Sequence, residues 1–357
     1  MSNGALDTHA AAAARRLQSM FWLIEPRNTG APELDLECAM RRFALLPLSA
    51  ILSLASLPSV HAAQLNHESD MVYRPTGRGQ GEIDEEATQR QREDRAAGRA
   101  PVGAATVAGA GINYHGGPVM NGLTKVYVLY YGTWTANQMT IVNSLLQTLG
   151  GTPTFRTNTT YYSLSGTTKS YVQNSVTLMS THVDNYSLGK TLSDANIQTL
   201  VGNAITAGWF PKDTNAVYFV LTAPDVKESS GFGSRYCGWH THGTIGGSDI
   251  KYSFVGNPAT IAPAGCGVVT PSPNGDGGVD AMTSVIFHEL SEAVTDPDLN
   301  AWYDTAGNEN ADKCAWKFGT LLSAANGANY NVSFGGRNWK LQQNWVNAGT
   351  GSCTVTY

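Results

Sequence analysis

Short, nearly unbroken apolar runs alternate with stretches in which apolar residues recur every three or four positions. The run KVYVLYYG, Lys125 to Gly132, is β-branched and aromatic and predicts a buried strand. Thr135 follows as a helix cap, and Met139, Val142, Leu145, Leu146 and Leu149 recur at helical spacing. The alternation continues: LSDANIQTLVGNAITAG (Leu192 to Gly208) predicts a helix capped by Ser193, and NAVYFVLTA (Asn215 to Ala223) a strand. KYSFVG predicts another strand, and Val279 to Thr295 a helix stopped by Pro297. From Lys313 onward, segments such as NYNVSFGGRNWKLQQNW read as short strands and turns. With no internal repeat, residues 112–357 predict a single α/β domain with a mixed β-sheet and packed helices.

The N-terminal third lacks such a pattern. MRRFALLPLSAILSLASLPSVHA, Met40 to Ala62, has the parts of a secretory signal: Arg41 and Arg42, an apolar run from Phe43 to Leu57, and small residues at Val60 and Ala62. Cleavage is expected after Ala62, which makes Met40 the start and residues 1–39 a mis-assigned extension. The apolar run is shorter than the roughly 20 residues that a bilayer span needs, so no span is expected in the mature chain; an uncleaved anchor is the rival reading. Residues 63–111 are polar and charged, then rich in Ala and Gly, and read as a flexible leader or propeptide.

Composition adds compartment. Charged residues make up 14% of the chain and the net charge is −5, which suits an exported protein and offers no basic patch for nucleic acid. Cys38 lies upstream of the signal, leaving Cys237, Cys266, Cys314 and Cys353 for two disulfides. Closeness in sequence favours Cys237 with Cys266 and Cys314 with Cys353. Without a CxxC pair, a zinc site of four thiolates is disfavoured.

The helix FHELSEAVTDP carries the candidate chemistry. Met282, Ile286, Leu290, Ala293 and Val294 form its apolar face, and His288 and Glu292 lie one turn apart on the other side. Their neighbours Ala281, Ser284, Val285, Ser291 and Thr295 are small and uncharged, as in the wall of a covered cleft. Between Tyr252 and Asp312 there is no Lys or Arg, yet there are nine acids. Carboxylates gathered in a partly buried cleft require a counter-charge, and a bound cation supplies one. Zincins place two ligands at i and i+4 of a helix with a Glu at i+1 as general base, and draw a third ligand from downstream. Here the paired ligands are His288 and Glu292, the base is Glu289, and Glu309 and Asp312 are the preferred further ligands, with Asp304 in reserve.

Zinc is therefore the expected ion. Calcium is the alternative, because Asn308, Asn310 and Asp312, and Asp276 with Asp280 after PNGDGG, resemble hard-cation loops. His240 and His242, at i and i+2, would share a strand face and could ligate. No GxSxG or Walker loop is present. Trp134, Trp239, Trp302, Trp339 and Trp345 could stack on sugars, although core packing is the expected fate of most.

YHGGPVMNGLTKVYVLYYGTW, NAVYFVLTAPDV with RYCGWH, VGNP, PNGDGGVDAM and YNVSFGGRNWKL together resemble the EXORDIUM or phosphate-induced protein family. The resemblance implies an extracellular protein linked to the cell wall or to growth, with no settled reaction. Plant members commonly lack the His and Glu of the HExxE string, and HELSEAVTDP resembles the microbial members that keep them. Two functions follow as expectations. One is a secreted, zincin-like metal-dependent hydrolase acting on an extracellular peptide. The other is a non-catalytic wall-associated or carbohydrate-binding module with a structural cation and a glycan partner. Oligomeric state is not legible.

Overall fold

The computed structural model describes residues 111–305 and 307–357. The extension at 1–39, the signal at 40–62 and the leader up to residue 110 lie outside the described residues.

Five strands form the central sheet: β1 (Thr124–Tyr131), β2 (Val176–Asp184), β3 (Ala216–Thr222), β4 (Gly238–Ile245) and β5 (Ser248–Gly256). Their order is β2-β1-β3-β5-β4. The first four run parallel, and β4 pairs antiparallel with β5 at one edge. Parallel neighbours need long crossovers. Helices α1 (Ala136–Thr148) and α2 (Asp194–Thr206) lie in those connections, each opened by the predicted cap, Thr135 or Ser193, in a reciprocal capping box. The third helix, α3 (Gly277–Thr295), follows β5 and is capped by Asp276, whose carboxylate accepts from Val279 N–H. Pro297 follows its last turn, as predicted.

Nearly every residue of β1 and β3 is buried, so these strands need cover on both faces. Opposite faces of β4 show what supplies it. A Cβ at Gly238 would strike Val285 of α3, whereas one at Gly243 would strike Gln198 of α2. Helix α3 also packs on α1 and β5. Residues from Gly278 to Thr295 are all buried, so α3 runs through the interior, and only its first turns, at Ala281 and Ser284, border a cleft.

Of the five sheet strands, β2 is not read from the pattern, and β4 is anticipated only in the shared strand face of His240 and His242. His240 and His242 lie on β4, an edge strand whose even-numbered positions face α3. After α3 the chain forms two-stranded ribbons held down by the Cys314–Cys353 disulfide, while Cys237–Cys266 ties the start of β4 to the loop before α3; both are the favoured pairs. Trp239, Trp302 and Trp339 are core residues and are closed to sugars. No helix of the described residues is long and apolar enough to cross a membrane.

Candidate metal centre

Helical geometry fixes the first pair. On α3, His288 Nε2 lies 3.0 Å from Glu292 Oε1, one turn along. The chain then returns through residues 308–314. There a short 3₁₀ turn, Asp312–Cys314, brings Asp312 Oδ1 to 3.4 Å from His288 Nε2. Asp312 N–H donates to Glu292 Oε1 at 3.0 Å, so backbone and side chain of one residue clasp the helix pair. The disulfide at Cys314 and the side chain of Asn158 hold this return. Asn158 accepts from Asn310 at 2.9 Å and donates to Ser291 of α3 at 3.3 Å.

Glu309 goes elsewhere. Its Oε2 is 3.0 Å from His240 Nε2, which stands 3.9 Å from Glu292 Oε2. Sequence reasoning placed Glu309 with His288; the fold gives it to the edge strand. Asp304 takes no part, since it binds Lys313 Nζ at 3.0 Å and accepts from Asn308. His242 shares the face of His240 but lies farther along β4, paired with Asp249 at 2.8 Å. Asp276 caps α3 and Asp280 accepts from Asn274, so neither is arranged as a calcium loop.

His240, His288, Glu289, Glu292 and Glu309 are all completely buried, and Asp312 nearly so. Neither carboxylate oxygen of Glu289 has a hydrogen-bond partner among the described residues. Its Oε1 lies over Gly238, 3.1 Å from where a Cβ would be. Burial drives the Glu289 carboxyl well above the ordinary carboxylate range; burial and the charge of Asp312 lift Glu292 to about 7. Burial alone would lower both histidines. Glu309, Glu292 and Glu289 outweigh it at His240, raised to about 9, and Glu292 and Asp312 outweigh it at His288, raised well above 6.5.

Such a set of imidazole nitrogens and carboxylate oxygens, desolvated and short of positive charge, fits a first-row divalent cation. His288, Glu292 and Asp312 bring donor atoms within 4.8 Å of one another, and so do His240, Glu292 and Glu309. A third group, His242, Asp249 and Asp298, already has a cation in Lys251, which binds both aspartates. Nothing in the sequence pattern flagged Asn158 or Gln342; His240 was legible only as one of two histidines on a common face.

A small cleft adjoins the centre, lined in part by Ala281, Ser284, Trp316, Phe318 and Lys340. Its floor is α3 one turn before His288. Gln342 lies between, its backbone N–H on Ser284 Oγ and its side chain on His288.

Residues 112–355 match the family described as "Phosphate-induced protein 1 conserved region". The chain is 32% identical to Protein EXORDIUM-like 3 of Arabidopsis thaliana over 270 residues, covering 66% of this chain and 80% of the relative. It is 31% identical to Protein EXORDIUM of the same plant over 240 residues, covering 58% and 74%. Identity to Protein PHOSPHATE-INDUCED 1 of Nicotiana tabacum is 28% over 266 residues, covering 62% and 80%. No solved structure matches the chain. With the match running almost unbroken from before β1 to past Cys353, the chain belongs to the EXORDIUM or phosphate-induced protein family.

Proposed function

We propose that this protein is an exported, metal-dependent hydrolase of zincin-like design that acts on peptides. The observation that supports this reading most is the meeting of His288, Glu292 and Asp312 donor atoms around one buried point, next to a glutamate with no partner. His288, Glu292 and Asp312 would hold the ion. Zinc suits that donor set better than calcium because of the imidazole ligand. Bound there, the ion would acidify a water molecule and polarise a scissile carbonyl.

The chain's own residues supply the rest. Glu289, next to His288 in sequence and desolvated, has a raised proton affinity and suits a general base that later returns the proton to the leaving amine. Trp316, Phe318 and Lys340 in the adjoining cleft offer apolar and cationic contacts for a peptide. Export is supported by the two disulfides and by the signal-like segment before Ala62.

Complete burial favours a second reading, a structural cation in a non-catalytic wall-associated module, since closed sites are the structural ones. One experiment separates the two. The purified protein is assayed for metal and for cleavage of a quenched-fluorescence peptide library, beside Glu289→Gln. An enzyme gives metal-dependent cleavage that Glu289→Gln abolishes while retaining its metal. A metal-bearing wild type with no cleavage of any peptide sinks the hydrolase and leaves the structural ion.

A further inference from the structure

The single-ion reading uses one edge of Glu292. The other edge faces a second, complete set of donors. Glu292 Oε1 is directed at His288 and Oε2 at His240, and His240 Nε2 in turn meets Glu309 Oε2. We propose that the protein holds two divalent cations side by side: one between His288, Glu292 and Asp312, the other between His240, Glu292 and Glu309, with the Glu292 carboxylate bridging them. This inference deepens the metal reading above and rests on it.

Geometry supports the pair first. The two oxygens of one carboxylate suit ions held roughly 3.5–4 Å apart, the spacing of two-metal hydrolytic centres. Both donor groups close to within 4.8 Å, and they share only Glu292. A single ion at His288 would leave His240 and Glu309 as an elaborate buried pair with no role in the site.

Charge supports it independently. Glu289, Glu292, Glu309 and Asp312 contribute four negative charges at a buried locus. Histidines that ligate a metal do so as neutral rings. One divalent ion then leaves two uncompensated charges in a dry interior, whereas two ions leave none. The lysines that flank this stretch are engaged elsewhere: Lys251 with Asp249 and Asp298, Lys313 with Asp304.

Glu289 is the third observation. It is fully buried, its oxygens are without hydrogen-bond partners, and Oε1 lies over Gly238. Gly238 precedes His240 by two residues on the α3-facing side of β4. The carboxylate thus lies at the seam of α3 and β4, beside both donor groups and part of neither. The mix of two imidazoles with three carboxylates suits zinc or manganese(II) better than calcium.

The test loads the metal-stripped full chain with manganese(II) alone, removes excess by gel filtration, and measures metal content together with the electron paramagnetic resonance spectrum. Two ions per chain with an exchange-coupled spectrum are expected. His240→Ala and, as a milder change, Glu309→Gln should each fall to one ion per chain with an uncoupled six-line signal. One ion per wild-type chain overturns the pair but leaves the single-ion site standing, and none overturns both. Two uncoupled ions, or two ions that persist in His240→Ala, also overturn the bridged pair. If a variant fails to fold, wild-type stoichiometry and coupling decide the matter.

Discussion

The side-chain nitrogen of Gln342 stands 3.3 Å from His288 Nδ1. The amide is oriented this way because its oxygen accepts the backbone N–H of Trp316. Gln342 therefore offers a donor to a ring nitrogen that must itself be a donor when Nε2 holds a metal. A carboxylate here accepts from both neighbours at once, so Gln342→Glu should tighten zinc binding, on the order of 10-fold, as carboxylates behind metal-bound histidines do. The same change adds a buried charge and should destabilise the metal-free protein. Competition with a chromophoric chelator reads the first effect and a thermal melt the second. Weaker zinc binding by a folded Gln342→Glu would show that His288 Nε2 is not a ligand.

Glu289→Gln should act in opposite directions on stability and turnover. The carboxyl lacks hydrogen-bond partners and burial makes it hold its proton far more tightly than in the unfolded chain, so an amide, which needs no proton uptake at neutral pH, should stabilise the metal-free fold by about 1–3 kcal/mol. Loss of a general base should reduce hydrolysis by about 10²–10⁴-fold. Urea titration and initial rates on the same preparation check both.

At Gly238, β4 passes close to α3. A Cβ there would fall 2.7 Å from Val285 Cγ1 and 2.8 Å from Phe254 O, so Gly238→Ala must push strand from helix. The expected loss is about 1–3 kcal/mol, the usual effect of overpacking. Since His240 lies two residues on, metal content should fall with it. An alanine variant of unchanged denaturation midpoint would mean that the strand moves freely.

The Cys314–Cys353 bridge closes a 39-residue separation beside the Asp312 turn. Replacing both cysteines by serine should cost about 2–5 kcal/mol. It should also weaken metal binding, because Asp312 reaches His288 only while this return path is fixed. Comparing chelator resistance of the double variant with wild type tests the coupling.

Acid lability should be traceable in part to Asp213, far from the metal centre. Partial burial pushes its carboxyl up, but Lys125 Nζ at 2.8 Å and the Asn215 N–H outweigh it and hold the pKa below 3.8. The unfolded chain therefore takes up this proton first as pH falls, and the contribution is present above the unfolded value and lost on passing through the folded one. Wild type and Lys125→Met should differ at pH 6 and draw together as the pH falls below 3.8 and through the folded value. A constant difference across that range would assign the lysine a packing role only.

Periodicity and caps along the chain were enough to place β1, β3, β5 and helices α1, α2 and α3, because each depends on neighbours within a few residues. The pairing of His288 with Glu292 was legible for the same reason: 3.6 residues per turn puts i and i+4 together wherever the helix sits. Closeness in sequence likewise favoured the cysteine pairs that form. Tertiary structure decided the rest. Whether Glu309 or Asp312 reached His288 depended on a loop path fixed by Asn158 and a disulfide; the arrival of His240 depended on β4 folding back beside β5 as an antiparallel edge. Burial of α3 along its length likewise required the sheet, α1 and the C-terminal ribbons to pack around it. Side chains dozens of residues apart meet only when the whole chain has chosen its packing, and no local pattern encodes that choice.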